Sequence, residues 1–238
     1  MILHTPDLIR VKDERARGNI GKHLLVAIWC KDGVVIGRRA NERSASRVGK
    51  TGRKFPNWLL EYDKRLYFAS IGAYSDIEKL HTAINSQLDD LKTWVTARYV
   101  SKHYADQVIS FLFELRYEHS LYPYGAMTTV FSLEAPLEFS MSDYSGKVRS
   151  FSQFVVAGAA LETDACKDAR RGAVDFLNKE CKNARAEQWM IRGKGTSVLL
   201  SALRRFDLPG ESQWADVVSI TADGVLWKRR MISRRRIK

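Results

Sequence analysis

Ser44-Ala45-Ser46-Arg47-Val48-Gly49-Lys50-Thr51 closes on the Gly-Lys-Thr of a phosphate-binding loop and follows a predicted strand. Such a loop would set a lysine and a hydroxyl beside nucleotide phosphates. Here Ser44 stands in place of the first glycine, and the helix that should face the phosphate cannot run on through Gly52 and Pro56. Gly193-Lys194-Gly195 lacks the third glycine and the preceding strand of a dinucleotide fingerprint. The five histidines, His4, His23, His81, His103 and His119, share no metal-ligand spacing with one another or with Cys30, Cys166 and Cys181. No cofactor and no metal are therefore expected. Cys30 lies in an apolar run and reads as a small core residue, and Asp89-Asp90 reads as a solvated helix face.

Charge is the other conspicuous feature. The 238 residues carry a formal +12, with 45% hydrophobic and 28% charged residues, the profile of a folded domain. Residues 1–60 hold 13 Lys/Arg against 5 Asp/Glu, and residues 225–238 hold 7 Lys/Arg and no acid, so the body between is close to neutral. Lys228-Arg229-Arg230 and Arg234-Arg235-Arg236 could contact RNA or DNA, but the nearest aromatic, Trp227, falls inside a predicted strand instead of lying interleaved and exposed. An acidic neighbouring protein is the favoured partner of this tail, and nucleic acid the disfavoured one. No apolar stretch approaches bilayer length, no secretory signal is expected in MILHTPDLIRVKDERARG, and three cysteines without paired spacing suit a reducing compartment.

The elements follow from periodicity. LLVAIWC (24–30) and VVIG (34–37) flank Lys31-Asp32-Gly33, a hairpin signal. Residues 38–54 read as loop or irregular edge strand, and RLYFASIG (65–72) as a buried strand. Ser75-Asp76-Ile77-Glu78 opens a helix over about 75–98 on the stripe Ile77, Leu80, Ile84, Leu88, Leu91, Val95. A second helix follows Ser101, with the apolar residues Tyr104, Val108, Phe111, Leu112 and Leu115 on one side, and ends before Tyr122-Pro123-Tyr124-Gly125. Three strands are expected in AMTTVFSL, LEFSMS and VRSFSQFVVAG, with a turn at Ser145-Gly146. The stripe Leu161, Ala165, Ala169, Ala173, Phe176, Leu177 predicts a third helix, and about 187–205 a fourth. WADVVSIT and VLWKRRMI flank a second Asp-Gly turn at Ala222-Asp223-Gly224. Strands grouped by tight turns, with two helix pairs, predict an α+β fold with antiparallel sheets in a four-layer αββα sandwich.

That order, with the words it contains, resembles the proteasome subunit family. VAIWCKDGVVIG is similar to the family's first hairpin, RLYFASIGAYSDIEKL to its strand, glycine and first-helix junction, and YPYGAMTTVFSLE to the passage from second helix to middle strands. SMSDYSGKVRSFSQFVVAGAALETDACKDARRGAVDFL resembles the D-x-x-G hairpin, the small-residue strand end and the third helix. The resemblance covers about 24–232 and implies the N-terminal-nucleophile hydrolase type of sandwich. It divides the chain into an N-terminal extension (1–22), a subunit-like domain (23–232) and a basic tail (233–238).

Active members of that family expose a threonine at a processed N-terminus, where its own α-amino group can serve as base, supported by an Asp and a Lys. With Gly33 on the hairpin glycine, His23 takes the nucleophile's position, flanked by Lys22 and Leu24. No Gly-Thr, Gly-Ser or Gly-Cys pair precedes the first strand, and Gly195-Thr196 lies too far downstream for a cut that leaves a fold. Gly37-Arg38-Arg39-Ala40 stands where an Asp is expected, Lys50 or Lys54 near the lysine, and Arg205-Phe206-Asp207 in place of a Ser-Arg-Asp word. The resemblance thus implies no catalytic residue and a non-catalytic subunit of the core particle. Its implied partners are other α- and β-type subunits in heptameric rings and regulatory particles, in ATP- and ubiquitin-dependent protein degradation in cytoplasm and nucleus. The α-type N-terminal words (Tyr-Asp, Ser-Pro, a Gln-Val-Glu-Tyr-Ala helix start) are missing from 1–22, which favours a β-type subunit, although CKDGVV and Pro-Tyr-Gly look α-like. An α-type subunit gating the particle, an active threonine-type peptidase and a basic nucleic-acid-binding protein are the alternatives.

Overall fold

Both Asp-Gly turns close hairpins. Strands β1 (Leu24–Cys30) and β2 (Gly33–Arg39) pair with Cys30 opposite Gly33, so the turn residues are Lys31 and Asp32. Gly33 has φ 137°, and a Cβ there would meet Ile220 O at 2.2 Å, so the position admits only glycine. The computed structural model describes residues 5–20, 23–39, 46–48, 54–95, 100–158, 164–181, 189–206 and 213–232.

Around this hairpin run helix α1 (Thr5–Ile20), the short strands β3 (Ser46–Val48), β4 (Lys54–Pro56) and β5 (Leu59–Glu61), and β6 (Leu66–Gly72). Helices α2 (Tyr74–Val95) and α3 (Lys102–His119) lead to β7 (Ala126–Ser132), β8 (Phe139–Ser142), β9 (Val148–Phe151) and β10 (Phe154–Gly158). Helices α4 (Asp164–Glu180) and α5 (Arg192–Arg205) precede β11 (Trp214–Thr221) and β12 (Gly224–Met231). The first sheet has the order β10-β1-β2-β11-β12 and the second β5-β6-β7-β8-β9, both antiparallel, while β3 and β4 form a separate ribbon. The described residues thus form a mixed α/β fold of two antiparallel sheets and five helices.

Strand alternation decides which face each residue takes. Leu25, Ala27 and Trp29 of β1, with Val34 and Ile36 of β2, point at the second sheet, where Tyr67, Ala69, Phe131 and Phe139 meet them. Leu24, Val26, Ile28 and Val35 point the other way, onto Ala173, Leu177, Leu199 and Leu203 of α4 and α5. Leu66, Phe68 and Val130 of the second sheet carry α2 and α3 through Ile77, Leu80, Ile84, Ile109 and Phe113. Each sheet therefore packs one face on the other sheet and the opposite face on a helix pair.

Three sequence expectations change. The run 148–158 is two strands: β9 pairs with β8 in the second sheet, and β10 pairs with β1 in the first. The chain changes sheet at Ser152-Gln153, where Gln153 O accepts from Trp29 N at 2.7 Å. Helix α3 turns a different side inward, burying Ala105, Ile109, Leu112 and Phe113 and leaving Tyr104 42%, Phe111 51% and Leu115 44% exposed. Its apolar residues allow two stripes, and buried Lys102 selects one by donating to Asp106 Oδ2 (3.0 Å), Glu138 Oε1 (3.1 Å) and Ser140 Oγ. In α4, Cys166 takes the buried place expected of Ala165, which is exposed, while Leu161 lies outside the described residues.

Helix α1 had no periodic signal. Its last residue, Ile20, enters the core between the sheets, and Ala16 is equally buried. Lys12, 6% exposed, donates through Nζ to Tyr117 O (2.6 Å) and Glu118 O (3.2 Å), a cation on the carbonyl end of α3. Arg15 reaches Leu121 O at 2.9 Å, and Tyr117 OH donates to Asp13 at 2.8 Å.

Candidate functional site

The residues assigned by resemblance to a catalytic centre are spread over three environments. His23 immediately precedes β1, three residues after Ile20, and its N–H reaches Ile20 O at 3.4 Å. It is half-buried, and burial followed by the charge of Arg38 holds its pKa below the usual histidine value. That setting favours the neutral imidazole.

Arg38 shares the inner face of β2 with Val34 and Ile36, and Asp216 shares that of β11 with Val218 and Ile220. The register sets Asp216 opposite Arg38 on one side and Arg229 of β12 on the other. Asp216 is fully buried, and its Oδ1 accepts from Arg229 Nε at 3.2 Å. Arg38 lies over the Trp58 ring at 5.4 Å, and burial pulls its pKa down to about 10 against the upward pull of Asp216. Arg38 Nε and Asp216 Oδ2 are buried without a hydrogen-bond partner. An imidazole, two guanidiniums, a carboxylate and an indole lie along this part of the core.

Arg39, where an Asp was expected, faces the helices instead. Its Nε and Nη2 donate to Leu203 O at 3.3 and 3.1 Å near the end of α5, so it holds a helix terminus. Lys54 is exposed on β4, and Lys50 and Asp207 lie outside the described residues. Phe206 is buried, and Arg205 stacks over Phe176 at 3.8 Å.

The remaining motifs have structural employment where they are described. Ser46–Val48 pairs with Lys54–Pro56 as a ribbon, and the rest of the Gly-Lys-Thr loop lies outside the described residues. Gly193, Lys194 and Gly195 form the first turn of α5, where a Cβ on Gly195 would come within 2.4 Å of Cys30 Sγ, so the glycine lets the helix approach β1. Asp32 of the hairpin turn accepts from Arg192 N at 2.8 Å and pairs with its Nε at 2.8 Å, anchoring the start of α5. His81 is buried against Ser70 Oγ (2.9 Å), which also meets Thr128 Oγ1 (2.9 Å), while His103 and His119 are exposed. Among the described residues no three His, Cys, Asp or Glu are grouped to hold a metal. Burial pushes the Cys30 thiol up to about 12 and Cys181 up to about 11. Arg229 belongs to the Asp216 pair, Lys228 and Arg230 are exposed on β12, and 233–238 lie outside the described residues.

Sequence reading missed the Arg38–Asp216–Arg229 row and the docked helix α1. The row had a signal: in WADVVSIT, Asp216 is in phase with Val218 and Ile220, so an inward β-strand stripe includes a carboxylate. No protein-family model matches the chain, and no curated protein matches it either.

Proposed function

We propose that the chain is a non-catalytic wall subunit of a proteasome-type core particle, folded as the four-layer αββα sandwich of the N-terminal-nucleophile hydrolases. Two antiparallel sheets face to face, each with a helix pair on its outer side, support that fold. The observation that carries the absence of catalysis is the path of the chain through His23. A terminal nucleophile needs a free α-amino group, whereas here β1 is preceded by a helix whose Ile20 is built into the core. The positions around it hold Arg38 and Arg39, both committed to core and helix contacts.

The partners of this reading are further α- and β-type subunits in heptameric rings. Exposed Tyr104, Phe111 and Leu115 on α3 give such neighbours apolar surface to cover. Of the two ring types, helix α1 favours the α-type, whose N-terminal segment leads into a helix in the resembled family. The β-type reading rests on the missing words of that segment.

Native mass spectrometry and electron microscopy of the chain, isolated with whatever co-purifies from its source, test the proposal. Sevenfold rings or barrels, with residues before His23 retained in the intact mass, are expected. A monomer with no barrel in the same preparation overturns the assembly. A mature chain cut in front of a Thr, Ser or Cys overturns the non-catalytic assignment.

A further inference from the structure

Away from the His23 end, a cleft of about 660 Å³ opens where the β9–β10 crossing passes helix α4. Phe154, Val156 and Val174 give it apolar walls, and Asn178 and Arg170 supply polar groups. Its size is that of a small-ligand site, about 300–1,000 Å³.

Arg170 is the unusual member. Its Nε is buried without a hydrogen-bond partner, and its Nη2 makes a single long bond, 3.4 Å, to Val156 O. Among the described residues that line the cleft none is acidic. Arg149 on neighbouring β9 is close enough for its charge, after burial, to lower the pKa of Arg170. A guanidinium largely withdrawn from water beside a second cation is costly unless an anion joins it.

We propose that this cleft binds a carboxylate carried on an apolar body, with Arg170 as the carboxylate's partner. A carboxylate accepts two parallel N–H bonds from a guanidinium, which supplies the missing acceptor and the missing negative charge together. Phe154, Val156 and Val174 then cover the apolar part of the ligand. The same chemistry is offered by a free organic acid or by a Glu or Asp side chain of an extended peptide.

Calorimetric titration of the full chain with hippurate, hippuramide, acetyl-Leu-Glu-Leu-amide and its Gln counterpart tests the assignment. At least one carboxylate probe is expected to bind at millimolar or lower concentration, with its neutral counterpart at least tenfold weaker. Preference for hippurate identifies a free acid, and preference for the Glu peptide a protein-borne one. Arg170→Met, which keeps the apolar stem, is expected to lose at least tenfold in affinity. Arg149→Gln, on an exposed strand and harmless to the core, is expected to lose a smaller factor and to weaken the salt dependence. Binding of neither carboxylate, or equal binding of acid and amide by the unmodified chain, overturns the proposal without reliance on any variant. The residues that line the cleft do not include His23, Arg38 or Arg39, which support the non-catalytic reading, so either can fail alone.

Discussion

Asp216 and Arg38 face each other across β11 and β2 on the buried inner side of the first sheet, with Arg229 completing the row. At that end of the core Asp216 is paired with Arg229, and Arg38 lies over the Trp58 ring. The arrangement fixes what substitution will do.

Asp216→Asn leaves two cationic side chains with no carboxylate between them. Breaking a buried pair on one side costs about 3–5 kcal/mol, and the exposed part of Arg229 brings the expectation to the lower end. Urea unfolding should record the loss, and the double variant Asp216→Asn with Arg38→Met should recover a large part of it. No recovery would mean that Arg38 does not feel Asp216.

His23 should make stability depend on pH. Its folded pKa lies below the ordinary histidine value of about 6.5, so between those two values the unfolded chain binds more protons than the folded one. Stability from this group is complete above 6.5 and declines as pH falls from there toward the folded pKa. Denaturation midpoints measured from pH 8 down to pH 5 should show the decline, and His23→Gln should remove that component of it.

Lys12→Met keeps the buried stem and deletes two bonds to the carbonyls at the end of α3. Hydrogen bonds to a charged group are worth about 1.5–3 kcal/mol each at most, so a loss near 2 kcal/mol is expected. Limited proteolysis should then cut within 5–20 earlier than in the unmodified chain. Unchanged protection would show that Ala16 and Ile20 hold the helix alone.

Cys30 and Cys181 should resist alkylation. With pKa values raised to about 12 and about 11, both remain thiols at pH 8, and Cys30 is buried besides. Peptide mapping after iodoacetamide treatment should find neither modified in the folded chain and both modified in denaturant.

Much of this fold is legible because its signals are local. The Asp-Gly turns, the stripe of α2 and the start of α3 after Ser101 each need only a dozen neighbouring residues, and the elements stand where those residues predict. What escapes depends on distant partners. The inward side of α3 is chosen by Lys102 meeting Glu138 and Ser140, which no spacing within the helix encodes. Helix α1 hides because one of its anchors is a lysine and, among its described side chains, only Ala16 and Ile20 are apolar and fully buried. His23, Arg38 and Arg39 were legible only as the residues that the resemblance aligns with catalytic positions. That Arg38 turns to Asp216 while Arg39 turns to Leu203 follows from strand alternation once the sheet neighbours are known.

The two residues between β9 and β10 have a mechanical meaning. Because β9 belongs to one sheet and β10 to the other, and Gln153 O is held by Trp29 N, the sheets are hinged together at a seam too short to open. Tension applied to either sheet is handed directly to its opposite number. The halves should therefore come apart in one event, giving a single rip in a pulling experiment and a common slowest rate of amide exchange for β1 and β7.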